Sequence, residues 1–350
     1  MTLKPALWFC WTILWLAAAT GEATWAQIGN QSGTNRARAG ETDKQIGDPK
    51  KPIGYWNWQM STLGGSQFWT DLRVTGGWKI QQHSESSHCR LLDPSSVRYA
   101  WGNHAHCEKE LLGKIVTGKV TLPKGPVVIG LHGLMRTHQS MAPLASHLKN
   151  RGFETINFQY ASTRKPIEAH ARALRLVIDQ LGPQVTEIYL VGHSMGNLVV
   201  RRYLHDGYDP RIKRMVMIGP PNQGSRMARL LKDSRLFQTI AGVSGMQLAV
   251  GWEKLEPKLA VPDFEFGIIA GGQESEDDFS NFVLTGKDDF TVSVEETKLP
   301  GASDLMVRPL LHSNMMKNEQ TLEATERFFK FGYFSTESNR NPIPKHDSRK

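Results

Sequence analysis

From Leu112 onward the chain alternates between short apolar runs rich in β-branched residues and longer stretches whose apolar residues return at helical spacing. Residues 127–131, 153–158, 187–191 and 215–218 predict buried strands, and 113–122, which alternates apolar and polar, predicts an earlier one. Between them, 141–150 and 166–181 predict helices, each stopped by a glycine, Gly152 or Gly182, just past its last periodic residue. Strands that are apolar on both faces and separated by helices pack as a mostly parallel sheet with helices on both sides. The predicted fold class is therefore α/β, occupying residues 113–334, and no repeat of solenoid length interrupts it.

The chain ahead of this domain has a different pattern. Residues 55–112 are rich in tryptophan and carry short apolar runs such as Phe68-Trp69 and Gly77-Trp78-Lys79-Ile80, which predict antiparallel strands or a packed preface to the main domain. Residues 27–54 are polar and hold almost no aliphatic side chains, so they predict a flexible linker. In residues 1–26, Lys4 precedes an apolar run from Ala6 to Ala19, and Thr24-Trp25-Ala26 offers a cleavage site before Gln27. That run is shorter than the ~20 residues a spanning helix needs, so the expectation is a cleaved export signal and a periplasmic or secreted protein. Residues 335–350 predict a basic flexible tail.

Composition adds limits. With 39% hydrophobic and 22% charged residues, the chain can bury a large core and is neither fibrous nor broadly disordered. The net charge of +8 comes from scattered basic residues with no nucleic-acid motif, so nucleic acid is not an expected partner. It does favour anionic surfaces mildly, which leaves peripheral contact with a lipid surface as an expectation. Removing the leader discards Cys10 and leaves Cys89 and Cys107, and in an oxidising compartment a disulfide between them is the natural reading. His88, His104 and His106 stand beside these sulfurs, but their spacing matches no familiar zinc pattern.

The candidate chemistry begins at Gly192-His193-Ser194-Met195-Gly196, a G-x-S-x-G placed between an apolar strand and a helix-like run. A sharp strand-to-helix turn strains the serine backbone and brings neighbouring chain close, so glycine is needed two positions to either side. A hydroxyl is a poor nucleophile near neutral pH, so Ser194 requires a base. His312 follows the apolar run 305–311 and is placed to leave the end of the last strand. Between them, Gly286-Lys287-Asp288-Asp289-Phe290 offers a carboxylate to orient the imidazole, Asp289 first, with Asp288 and then Asp304 as alternatives. Two backbone amides must hold a developing oxyanion: that of Met195, after the nucleophile, and that of Leu134 in the turn His132-Gly133-Leu134.

The order of oxyanion turn, elbow, acid and histidine resembles bacterial lipases and esterases of the α/β-hydrolase superfamily, over about residues 113–334. Gly219-Pro220-Pro221-Asn222-Gln223-Gly224-Ser225 is similar to a loop of those lipases, and Asp289-Phe290-Thr291-Val292 to their D-G-x-V, with Phe290 where glycine is usual. The resemblance implies carboxylic ester hydrolysis of a small-molecule or lipid substrate through an acyl-enzyme, with no metal or organic cofactor. Thioesterase, amidase and acyltransferase chemistry use the same residues, and a catalytically silent binding module is a further alternative. Residues 226–262 carry helix-spaced aliphatics that are either ordinary core or helices capping an acyl pocket.

Overall fold

The computed structural model describes residues 60–61, 66–272 and 292–345. In chain order it begins with an antiparallel unit: β1 (Met60–Ser61), β2 (Trp69–Thr75), β3 (Trp78–His83), β4 (Cys89–Leu92) and β5 (Val97–Gly102), followed by helix α1 (His104–Val116). These strands form one sheet in the order β1-β5-β4-β3-β2. Ile80, Leu91 and Ala100 stand in register across it and pack on Cys107 and Leu111 of α1, a small core of its own.

The larger unit then unfolds as β6 (Gly125–Leu131), α2 (Ala142–Lys149), β7 (Glu154–Phe158), α3 (Ile167–Asp179), β8 (Val185–His193), α4 (Gly196–His205) and β9 (Ile212–Ile218). It continues through α5 (Arg226–Leu230), α6 (Arg235–Ala249), α7 (Trp252–Leu255), β10 (Glu265–Gly271), α8 (Val294–Thr297), β11 (Asp304–Arg308) and α9 (Glu319–Phe331). The sheet order is β11-β10-β9-β8-β6-β7, and every pairing in it is parallel. Strand side chains alternate faces, and here both faces are apolar: Ile129, Leu190 and Met217 enter one core, Val128, Val191 and Val216 the other. Each such side chain contributes roughly 1.5–3 kcal/mol on burial. The sheet's C-terminal edge, where β6, β8, β9 and β11 end, gathers the loops that carry the candidate chemistry.

Two expectations require correction. Residues 113–122 are not a strand: α1 runs through Val116, because Cys107, Leu111 and Ile115 form a four-residue stripe on the small core and Asn103 caps the helix by accepting from His106 N at 2.8 Å. The disulfide expected between Cys89 and Cys107 is not formed; both are free thiols buried in the small core. Burial raises the pKa of each, Cys107 to about 12, so both stay protonated and unreactive.

Candidate active site

β8 stops at His193 and α4 starts at Gly196, so the chain turns from strand to helix in two residues. Ser194 is held at φ 52, a left-handed conformation costing about 1–3 kcal/mol for a residue with a side chain. The flanking glycines are sterically required: a Cβ at Gly192 would lie 2.3 Å from Asn197 Oδ1, and one at Gly196 2.5 Å from Leu131 O. The strained turn is braced from both sides. Ser194 N donates to Ile218 O at 2.9 Å, and Asn197 Nδ2 donates to Ser194 O at 3.0 Å. Met195 caps α4, so its amide is one of those that a helix leaves without an internal partner.

The turn expected to supply an oxyanion donor lies directly beside this elbow. Beyond β6, Arg136 N donates to Gly133 O at 3.2 Å, closing a turn in which Met135 takes φ 58, the positive value its third position requires. Gly133 touches Ser194: a Cβ there would lie 3.2 Å from both Ser194 Cβ and His193 Nδ1. His132 sets the direction of the next peptide. Its Nδ1–H donates to Gly133 O at 2.9 Å, and in a trans peptide the Leu134 N–H points opposite to that carbonyl. Tyr160 stacks on His132 at 4.1 Å, donates its hydroxyl to His132 O, and gives its amide to Nε2 at 3.4 Å. Full burial pushes the His132 pKa down to about 3, so the ring is neutral and keeps this tautomer.

His312, four residues beyond β11, is buried against the elbow. Its ring covers Gly219 at the end of β9, where a Cβ would lie 2.8 Å from Nδ1 and Cε1. His193 places it from the other side: Nε2–H donates to His312 O at 3.1 Å, and the ring centroids are 4.6 Å apart. Burial pushes the His312 pKa well below the ordinary histidine range, with smaller contributions from His193 and Arg136. Burial likewise lowers His193, to about 4, so it is a neutral donor.

The structure thus brings Ser194, Met195, the Leu134 turn and His312 together. Asp289 and its alternative Asp288 lie outside the described residues. Asp304 does not belong to this cluster: it opens β11, and its carboxylate accepts from Phe334 N at 2.8 Å and Asn341 N at 2.9 Å. Sequence reasoning missed His132, His193, Asn197 and Tyr160 as supports. The first three adjoin motif residues, a signal that was present; Tyr160 gave none. The loop 219–225 is anchored by Arg201, buried in α4, which donates to Asn222 Oδ1 at 3.1 Å and to Ala260 O at 2.9 Å. Within residues 226–262 the helices are α5, α6 and α7, and α6 bends at Gly242 (φ 60) where it meets Thr163.

Residues 126–244 match the family described as the alpha/beta hydrolase fold. Among solved structures, the lipase BlEst2 of Bacillus licheniformis in mature form is 18% identical, with 56% of this chain and 88% of that chain covered and a TM-score of 0.42. The phospholipase PlaB of Legionella pneumophila is 19% identical, with 49% and 45% covered and a TM-score of 0.39, so this chain spans under half its length. A gene product of Listeria innocua is 18% identical, with 64% and 99% covered and a TM-score of 0.41. Among curated proteins, none matches the chain.

Proposed function

For this chain of the α/β-hydrolase fold, we propose an exported serine hydrolase that cleaves carboxylic esters with an acyl or lipid chain. Ser194 is the nucleophile, His312 its base, Asp289 the acid that orients His312, and the amides of Leu134 and Met195 form the oxyanion hole. The observation that carries this reading is the left-handed Ser194 between β8 and α4, with Gly133 on one side and His312 held against the elbow on the other. A structural turn has no need to store backbone strain at a serine beside which a histidine is buried.

In the reaction, His312 removes the Ser194 proton as Oγ attacks the ester carbonyl carbon. The carbonyl π electrons move to oxygen, and the two amides stabilise that charge; each such donor lowers the barrier by about 2.7–4 kcal/mol. Collapse expels the alcohol, protonated by the histidine, and leaves an acyl-serine. Water, deprotonated by His312, then releases the carboxylic acid and frees Ser194. Low basicity in His312 keeps the ring neutral and ready near pH 7, and the carboxylate assigned to it opposes that shift by favouring imidazolium. Exposed Met135 in the oxyanion turn and exposed Val243, tied by its amide to Thr163 O at 2.9 Å, give the neighbourhood an apolar rim that suits an acyl chain.

The test is hydrolysis of p-nitrophenyl esters from acetate to palmitate, beside Ser194→Ala and a fluorophosphonate probe. Activity and labelling that vanish in the variant support the reading, and the chain-length optimum divides esterase from lipase. Transfer to an added alcohol makes the protein an acyltransferase, and a folded protein that neither labels nor hydrolyses is not a serine hydrolase. Export is tested separately by N-terminal sequencing of secreted protein, with Gln27 expected as the first residue.

A further inference from the structure

Four consecutive residues after β7, Gln159-Tyr160-Ala161-Ser162, run between the antiparallel sheet and the oxyanion turn, and each of them bonds to one or the other. Toward the sheet, Asp71 N donates to Gln159 O and Gln159 N donates to Asp71 Oδ2, both at 2.8 Å, while Ala161 N donates to Thr70 Oγ1 at 3.1 Å. Toward the turn, Tyr160 holds His132 as described, Ser162 Oγ accepts from Met135 N at 3.1 Å, and Gln159 Oε1 accepts from His138 N and Nδ1, each at 2.9 Å. Behind Asp71 the chain of bonds continues across the sheet. Gln81 Nε2 donates to Asp71 Oδ1 at 2.7 Å, and Arg90 Nε and Nη2 donate to Gln81 Oε1 at 3.0 and 2.8 Å. Asp71, Gln81, Arg90, Gln159 and Ser162 are all buried.

We propose that the tryptophan-rich antiparallel sheet is an internal strut for the oxyanion turn, with Asp71 as the positioning residue that transmits its rigidity through Gln159. The inference rests on Leu134 being an oxyanion donor. Its physical content is directional: each donor in this chain of bonds faces an acceptor, and Gln159 Nε2 is further tied to the carbonyls of Ser66, Trp69 and Tyr160, so no member can rotate alone. Asp71 faces three donors: Gln81 Nε2 at Oδ1, and Gln159 N–H together with the Lys79 ammonium, 3.6 Å away, at Oδ2. An asparagine at this position offers one oxygen and one NH2, so one donor is left facing another. Flipping the Gln81 amide does not relieve this, since Gln81 Oε1 would leave Arg90. Whichever way the new amide turns, it sets an N–H against Gln159 N–H or against Gln81 Nε2 and removes the charge opposite Lys79, so the hold on Gln159, and on the turn beyond it, loosens.

The experiment compares wild type with Asp71→Asn and the milder Thr70→Val in the full chain, by hydrogen exchange and by the rate of fluorophosphonate labelling at Ser194. The strut predicts faster exchange across 132–140 with β9 unchanged, and labelling and kcat lowered about ten- to hundred-fold per folded molecule at unchanged KM. A merely structural joint loosens residues 66–102 and lowers the melting temperature, while exchange at 132–140 and the labelling rate stay at wild-type values; that result overturns the proposal. Should wild type itself fail to label, the hydrolase reading fails, and the exchange of 132–140 alone decides whether the strut exists.

Discussion

The elbow and the oxyanion turn lie in contact, yet they are built in opposite ways. At the elbow, the strained residue and most of its supports lie within six residues: Gly192 and Gly196 give clearance, and Asn197 returns a bond to Ser194 O. The turn at 133–136 depends on residues far away in the chain, since Met135 is held by Ser162 and His138 by Gln159, whose amide is bonded to Asp71, 88 positions distant. The lesson is that the strained serine is positioned by local backbone sterics, whereas the turn beside it is positioned by tertiary hydrogen bonds. The first tolerates little substitution; the second is adjustable from a distance.

The sharpest test of this contrast lies at the acid. Asp289→Asn is expected to lower kcat about ten-thousand-fold, as loss of the orienting carboxylate does in a Ser-His-Asp triad, with Asp288→Asn near wild type. Reversal of that order in steady-state kinetics assigns the role to Asp288. Next comes the elbow itself: in Gly196→Ala the new Cβ meets Leu131 O at 2.5 Å and His132 O at 2.8 Å, both backbone atoms that cannot step aside. Urea unfolding is expected to show a loss of about 2–4 kcal/mol, and an unchanged midpoint contradicts the steric account.

His193→Leu removes the donor to His312 O while keeping an apolar side chain of similar bulk. The expected result is kcat lowered about tenfold at unchanged KM, with stability reduced by about 1 kcal/mol. An effect on KM alone argues that His193 lines the substrate pocket instead. The gentlest probe is pH. His132 and His170, with folded pKa values of about 3, and His193, at about 4, stay neutral in the folded protein, while in the unfolded chain they protonate near 6.5. Below pH 6.5 the unfolded state therefore binds more protons, and stability falls as pH drops toward 4. Each histidine contributes a slope of about 1.4 kcal/mol per pH unit, and none above pH 6.5. Denaturant titrations at pH 7.5, 6 and 5 measure this; His170→Phe is expected to remove one histidine's share.

Much of the architecture was legible in the chain. The strands of the parallel sheet announce themselves as apolar runs because both faces are buried, and the elbow announces itself because left-handed serine requires small neighbours. Residues 113–122 misled because Val116, Val120 and Leu122 fall on alternate positions and mimic a period of two, whereas the preceding Cys107-Leu111-Ile115 stripe, read across the supposed boundary, has the period of a helix. Val116 in fact faces solvent. The thiol pair misled for another reason: shared burial in an apolar core is a sufficient use for two cysteines, and covalent pairing is not required for it.

By itself, the sequence determined the α/β class and the strained strand-to-helix turn at Ser194, because strand burial, glycine clearance and turn chemistry act over a few neighbouring residues. Only the tertiary structure decided that the antiparallel sheet backs the strap 159–162, that His193 holds His312, and that Asp304 serves the far end of β11. Those relations are made by one or two hydrogen bonds between residues tens of positions apart, and such bonds leave no periodic trace in the chain that makes them.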